Sequence, residues 1–371
     1  MGTLLSVTAL CTGLAWASER SAGPFPCGRK VRWDLCLFLA VAAFTLFVGL
    51  RTNYNDTRAY IQGFRNAGTF SEFLSDPDNL DPMHNPLFYG ATALSRTLTD
   101  NYHLYFLAFA ALDTTLFFRF LQRYAGEQDF GFSMYLFFCM GTAVFSLAAM
   151  KQVTAMAVLT LAIPALLDKR WLRFGVVVAL AGLIHTYAFL FAILPLCVSR
   201  PWNMRTFLLI AGTILVMWTF DSSISTVLSY ADSMGKHVAE YEVFDGNRMN
   251  FLRVAVYGVV PAITLVFRRR LVSRMNRAQR LLTNMSVISL MFMLLGTVNG
   301  ANMFGRVATY FELGAICMLP WCIRELFTPR SAQVVRIGGG LFFLVFFLYD
   351  NLGFSHSYAT VTIVGFLKSF S

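Results

Sequence analysis

The chain has 371 residues, 57% of them hydrophobic and only 13% charged. A soluble domain carries about 25% charged residues, so this much apolar surface excludes a water-soluble core of this size. The net charge of +10 would suggest a nucleic-acid surface in a soluble protein. Here, however, the basic residues gather in short loops such as RRRLVSRMNRAQR at 268–280, the positive-inside pattern of a cytoplasmic membrane loop, and no nucleic-acid partner is expected.

Residues 3–17 form a short apolar run that resembles the core of a signal peptide. No basic segment precedes it, and charges follow at Arg20, Arg29, Lys30 and Arg32. That order favours a helix running from outside to inside over a cleaved signal. Apolar runs of about 17–25 residues mark transmembrane helices. Such spans are expected at 33–50, 102–120, 131–149, 150–167, 206–220, 250–267, 281–298, 307–323 and 337–355. The short basic loops 18–32, 121–130, 168–173, 199–205, 268–280 and 324–336 are expected on the cytoplasmic side. The longer loops 51–101 and 221–249, which carry most of the acidic residues, are expected outside, and their length marks them as functional candidates.

Segment 172–197 has basic loops on both sides. A single crossing would put one of them outside, so two half-helices forming a hairpin that turns near Gly182–His185 are expected. Irregular backbone at membrane depth is tolerated only inside protein or along a wet cavity, which places His185 on a cavity. The expected architecture is an all-α polytopic integral membrane protein. It has about 10–12 transmembrane helices, including that hairpin, in a single transmembrane domain over 1–371. The cysteines Cys11, Cys27, Cys36, Cys139, Cys197, Cys317 and Cys322 have neither metal spacing nor a disulfide framework; packing is their default role.

Four polar sites interrupt the apolar pattern. In GLRTNYNDTRAYIQGF at 49–64 the chain leaves an apolar run directly into Arg51, Asp56, Arg58 and Tyr60. Asp56, Tyr60 and Phe64 are spaced i, i+4, i+8 and share one face of a helix starting near Asn55 or Asp56; capping of that helix is the plain alternative role for Asp56. Lys151 and Gln152 lie between two apolar runs with almost no loop. A lysine at a tight outer turn snorkels cheaply, yet an outer lysine runs against the positive-inside pattern. His185, within GLIHTYAFL, is a catalyst or a helix-packing hydrogen bonder. Asn302, Arg306 and Tyr310 repeat every four residues at the start of a span; Arg306 is placed to grip an anion bidentately, or to anchor the interface with Tyr310 in the aromatic belt. The loop DPDNLDPMH at 76–84 lacks the glycine turn and terminal glutamate of an EF-hand, and no metal is expected there. Cations at a lipid–water boundary suit a phosphate-bearing headgroup, and a carboxylate or imidazole suits proton abstraction from a hydroxyl. No Walker loop, dinucleotide fingerprint or nucleophilic serine motif is present, so no cofactor or nucleotide is expected.

These residues resemble the EpsG family of Wzy-like exopolysaccharide and capsular polysaccharide polymerases, over about residues 33–325. The resemblance rests on Gly49-Leu50-Arg51, Asp56-Thr57, Tyr60…Phe64, Lys151-Gln152-Val153-Thr154-Ala155, His185 and Arg306…Tyr310-Phe311. The chain departs from it in three places. Lys151 stands where the pattern usually has Arg, Tyr54-Asn55-Asp56 stands for Gly–Thr–Asp, and His84-Asn85-Pro86-Leu87-Phe88 replaces a segment that often begins with Glu. The resemblance implies a multi-pass protein of the bacterial inner membrane that transfers a growing glycan from undecaprenyl diphosphate to a lipid-linked repeat unit, without metal or nucleotide. It implies that Arg51, Lys151 and Arg306 hold the diphosphate, with Arg58 and Gln152 as further substrate contacts. Asp56 is then the first candidate for the base and His185 the second, and Tyr60 and Tyr310 stack on sugar rings. The implied partners are the undecaprenyl-diphosphate-linked oligosaccharide, the bilayer, and a flippase and chain-length regulator of the same pathway. Two rivals share the outer-face residues: a membrane glycosyltransferase using a polyprenyl-phosphate sugar, and a glycan transporter. The transporter would be expected to show matching interrupted helices in two halves, and no matching half is seen.

Overall fold

The computed structural model describes residues 1–22, 33–126, 129–219 and 246–368. The expected outer loop 221–249 lies outside these residues up to 245, as do Cys27, Arg29, Lys30 and Arg32. The chain packs as two compact units, one from Met1–Ile193 with Pro329–Ser371 and one from Leu194–Thr328.

The described residues are almost entirely helical, as an all-α polytopic membrane protein requires. Four helices are long and apolar enough to cross a membrane: Tyr102–Ala125, Met150–Leu167, Arg277–Leu295 and Pro329–Asp350. Two bent pairs, Phe130–Cys139 with Thr142–Ala148 (49°) and Phe251–Val266 with Arg268–Arg274 (92°), raise that number to 6. Of the about 10–12 spans expected, 4–6 among the described residues are long and apolar enough to cross. The reason is local. Leu35–Gly49, Trp171–Ile184, Thr186–Cys197 and Met204–Trp218 are apolar but only 10–17 residues long. At 1.5 Å per residue, a 15-residue helix covers about 22 Å of a hydrocarbon core about 30 Å thick. The run at 131–149 breaks at Gly141, whose φ of +105° only glycine adopts readily.

In the first unit, Gly2–Ala22 and Tyr102–Ala125 both pack against Leu35–Gly49. Asp34 caps the latter helix, accepting from Leu37 N at 2.8 Å and from Ser18 Oγ at 2.6 Å. Phe44 sits among Phe118, Phe137 and Phe138, with ring centroids at 5.6, 6.0 and 5.3 Å. At the far end the helices come too close for a side chain. A Cβ on Gly49 would lie 2.5 Å from Leu107 Cδ2 and 2.9 Å from its Cα. Small residues at such crossings are how membrane helices approach.

Beyond Leu50 the chain forms a short strand, Arg51–Asn53, which pairs antiparallel with Ala359–Thr360. A helix end leaves carbonyls unsatisfied, and the returning C-terminal segment supplies donors for them. Val361 N and Thr360 Oγ1 donate to Leu50 O at 3.0 and 2.9 Å, and Tyr358 OH donates to Phe47 O at 3.0 Å. Asn53 Nδ2 donates to Ser357 O at 2.7 Å. The segment at 172–197 consists of two short elements, the α-helix Trp171–Ile184 and a 3-10 helix at Thr186–Cys197. His185 separates them in an extended conformation (φ −152°, ψ 119°), so the break falls where the hairpin was expected to turn.

In the second unit, Arg277–Leu295 and Ala301–Leu326 form an antiparallel hairpin through a turn at Gly300 (φ +65°). Ser289 Oγ donates to Ala308 O at 2.7 Å. The expected span 307–323 lies within this second helix, whose apolar run is interrupted by Arg306 and Glu312. At Gly314 a Cβ would fall 2.3 Å from Leu282 O. Overpacking of this kind costs about 1–3 kcal/mol. Gly314→Ala is therefore expected to lower the melting temperature in detergent by several degrees. Gly338→Ala, whose Cβ meets nothing within 4 Å, should leave it unchanged or higher; equal melting of the two variants would remove this crossing from the packing account.

Candidate active site

Arg51 organises the polar end of the first unit. Its side chain is 1% exposed. Nε donates to Thr57 Oγ1 at 3.2 Å, Nη1 to Val48 O at 2.6 Å, and Nη2 reaches Met150 Sδ at 3.8 Å. The guanidinium carbon lies 4.3 Å from the Phe106 ring centre, a cation–π contact. Burial pulls its pKa from 12.5 down to about 10, against the fields of Tyr60, Tyr105, Tyr358 and Asp113, so the charge is kept at neutral pH. Arg51 thus ties one helix end, the start of the next helix and Met150 to one point. It does so from inside the fold, not from a surface open to a ligand.

Asp56 lies at the N-cap position of the helix Thr57–Asn66, after the left-handed Asn55 (φ +41°). Its side chain is exposed and accepts no capping hydrogen bond, so capping does not occupy the carboxylate. The predicted shared face is partly realised. Phe64 is fully buried and stacks on Tyr105 at 4.9 Å, and Tyr60 meets Phe88 at 6.0 Å, while Asp56 stands at the solvent end of that face. Arg58 is exposed.

Lys151 joins the same cluster from the start of the Met150–Leu167 helix. Its backbone N–H donates to Tyr60 OH at 3.5 Å, and its Nζ donates to Tyr89 OH at 3.1 Å. The ammonium lies 5.0 Å from the Tyr89 ring centre and 5.8 Å from that of Phe88. Gln152 is buried behind it. Ile184 packs on this aromatic cluster, which brings His185 to its flank. The imidazole is half-buried and meets Tyr187 edge-on at 5.1 Å. The next residue is anchored, since Thr186 N donates to Asn85 Oδ1 at 3.2 Å. The first unit therefore brings together Arg51, Tyr60, Lys151 and Gln152, with His185 on the flank of the cluster and Asp56 one helical turn before Tyr60.

Arg306 belongs to the second unit, where it is exposed. The i, i+4 stripe divides there. Asn302 and Arg306 face outward, but Tyr310 is 4% exposed and its ring is part of the unit's core. The expected stacking of Tyr310 on a sugar has no exposed ring face to use, because the helix enters the bundle between the two residues. In the loop 76–84, the Asp76 and Asp81 carboxylates accept from Asp78 N and Met83 N at 3.1 and 2.9 Å, the geometry of turns.

Asp113 was not singled out in the sequence. It is 6% exposed in the middle of Tyr102–Ala125, and its Oδ2 accepts from Thr154 Oγ1 at 3.0 Å. Among the described residues its Oδ1 has no hydrogen-bond partner. An ionisable residue inside an apolar run is itself a signal of function. Thr154 lies one turn after Met150, which Arg51 touches. The Asp113–Thr154 bond therefore fixes the rotation of the helix that presents Lys151. In a double-mutant cycle of Asp113→Ala and Thr154→Val, unfolding in mixed micelles should show a coupling of about 0.6–1.7 kcal/mol. Additive losses would show that the contact is idle.

The model of the EpsG family matches residues 34–362. No curated protein and no solved structure matches the chain. The match runs from the helix cap Asp34 to just past the strand Ala359–Thr360, so both strands of the Arg51 ladder fall inside it, together with Asp56, Lys151, His185 and Arg306. With helices able to span a membrane and a family match over nearly its whole length, the chain belongs to the EpsG family of membrane proteins of polysaccharide biosynthesis.

Proposed function

We propose that the chain polymerises undecaprenyl-diphosphate-linked oligosaccharide repeat units, at the outer face of the bacterial inner membrane. The observation that carries this reading is Asp56. It is an exposed carboxylate that caps nothing, one helical turn before Tyr60, whose hydroxyl accepts from the Lys151 backbone N–H. In the proposed step the acceptor sugar hydroxyl attacks the anomeric carbon of the growing chain. Its proton passes to the Asp56 carboxylate, and the bond from that carbon to the diphosphate oxygen breaks. The electron pair leaves with undecaprenyl diphosphate. Lys151 and the exposed Arg58 are placed to neutralise the leaving group, and charge stabilisation of this kind is strongest where water is excluded. Arg51 acts by position, holding Thr57 and Met150. Tyr60, half-buried, offers an aromatic edge to a sugar. His185 is the second candidate for the base. Arg306, exposed on its own unit, is a separate candidate for a substrate contact. A flippase and a chain-length regulator would act before and alongside such an enzyme.

The test is reconstitution of the purified chain in liposomes with a lipid-linked oligosaccharide pool from its host, without added nucleotide. A glycan ladder is expected. General-base catalysis contributes about 10²–10⁴-fold, so Asp56→Asn should slow the ladder at least 100-fold. Loss of one charge-stabilising group costs about 10²–10³-fold, the range expected for Lys151→Ala. Arg306→Ala reads the second unit's contribution in the same assay. An unchanged ladder from folded Asp56→Asn would transfer the base to His185. Single-sugar products formed only from a polyprenyl-phosphate donor would replace polymerisation with stepwise glycosyl transfer, and no product from any lipid-linked donor would favour transport.

A further inference from the structure

The helices that carry the candidate site have a second polar end. Arg123 lies 17 residues after Phe106 on one helix, and Asp168 lies 17 residues after Lys151 at the end of the other. At 1.5 Å per residue each separation is about 26 Å, close to the thickness of a hydrocarbon core. At this far end a cavity of about 510 Å3 opens within the first unit, lined by Arg123, Arg170 and Arg173 with apolar walls that include Leu161 and Val176. Among the described residues, Asp168 is the one carboxylate lining it, 4.0 Å from Arg170. Among the described residues, three guanidiniums thus line the cavity with one carboxylate.

Two further features fit an anion carried by a lipid. The 14-residue helix Trp171–Ile184 begins at the cavity, with no acidic residue in its first turn and no side-chain cap. Its N-terminal N–H groups and dipole favour negative charge there. The rim is also apolar and uncovered: Trp171, Leu172 and Val176 are 54%, 82% and 50% exposed. A site for a soluble anion has no use for such a rim, whereas acyl chains need one. Tryptophan is enriched at the membrane interface, and basic pockets between helices on the cytoplasmic side take lipid headgroups. The basic loops 121–130 and 168–173 are the ones that the positive-inside pattern places on that side.

We infer that this cleft binds the phosphate headgroup of an anionic phospholipid from the surrounding leaflet, with its acyl chains along the exposed face of Trp171–Ile184. The site is separate from the proposed polymerisation site and does not depend on it. The test uses the full chain in neutral detergent, with thermal melting and native mass spectrometry. The probes are phosphatidylglycerol, phosphatidylcholine, a polyprenyl phosphate and inorganic phosphate. Phosphatidylglycerol is expected to stay bound and to raise the melting temperature by several degrees, while phosphatidylcholine does neither. The double variant Arg123→Gln/Arg173→Gln should bind phosphatidylglycerol at least 10-fold more weakly. Arg269→Gln, an exposed arginine elsewhere, should bind it as the wild type does. If the double variant fails to fold, Arg173→Gln alone, at an exposed position, gives the same reading with at least a 3-fold loss. Undiminished binding in the folded variant overturns the site. An equal shift with inorganic phosphate, or tighter binding of polyprenyl phosphate than of phosphatidylglycerol, overturns the phospholipid assignment.

Discussion

A guanidinium buried in an apolar bundle constrains everything around it. An isolated buried charge costs far more than a fold can bear unless its donors are satisfied. Arg51 meets that demand with Thr57, the Val48 carbonyl, Met150 and the face of Phe106. Each partner belongs to a different part of the first unit, so satisfying one side chain sets four elements at once. The helix Leu35–Gly49 must stop where its last carbonyls face Arg51. The helix Thr57–Asn66 must start where Thr57 can accept. The Met150 helix must present its first turn to the same point. Lys151 and Asp56, each adjacent to a residue that Arg51 holds, take their places as a consequence. The cation that a sequence reading assigns to the ligand is buried instead, and it holds Thr57 and Met150, the neighbours of Asp56 and Lys151.

The C-terminal segment completes this arrangement. The span Pro329–Asp350 ends, and the chain then returns to pair with the strand that carries Arg51. Tyr358 meets Phe47 at 5.1 Å and Phe354 meets Tyr54 at 5.2 Å, both with tilted rings. Residues 300 or more positions apart thereby meet beside the short strand. An edge strand of three residues has little stability alone, so the closing segment is what holds the Arg51 loop in one conformation.

Some of this was legible in the sequence and some was not, for identifiable physical reasons. The membrane class follows from apolar excess. The Asp56–Tyr60–Phe64 face follows from helical period, and the break at His185 from the conflict of charges around 172–197. Burial of Arg51 was not legible, because composition cannot say whether an arginine at the end of a span turns inward or outward. Tyr310 shows the converse: period places it beside Arg306, but depth along the helix decides exposure, and four residues are enough to pass from surface to core. Apolar windows do not register a left-handed glycine at 141, a turn of 92° after Val266, or how short an apolar helix such as Trp171–Ile184 is. A pairing partner only two residues long, Ala359–Thr360, carries no pattern that could be found.

Two carboxylates near Arg51 divide into different tasks by environment alone. Asp113 is enclosed and bonded to Thr154; a group so placed can hold helices but cannot meet a sugar. Asp56 has the opposite circumstances. Its neighbour Thr57 is engaged by Arg51, so the backbone beneath it is fixed, yet its own oxygens have no capping role. A base that must accept a proton from a bulky, mobile acceptor needs that combination of rigid backbone and open side chain. The same helices end about 26 Å away in arginines around an apolar-rimmed cleft. One set of helices thus carries an exposed carboxylate at one end and, at the other, the arginines of the cleft proposed to take a lipid headgroup. For an enzyme whose proposed substrate is itself held in the bilayer, an anchor at the far end of those helices would keep the reacting face at a constant depth.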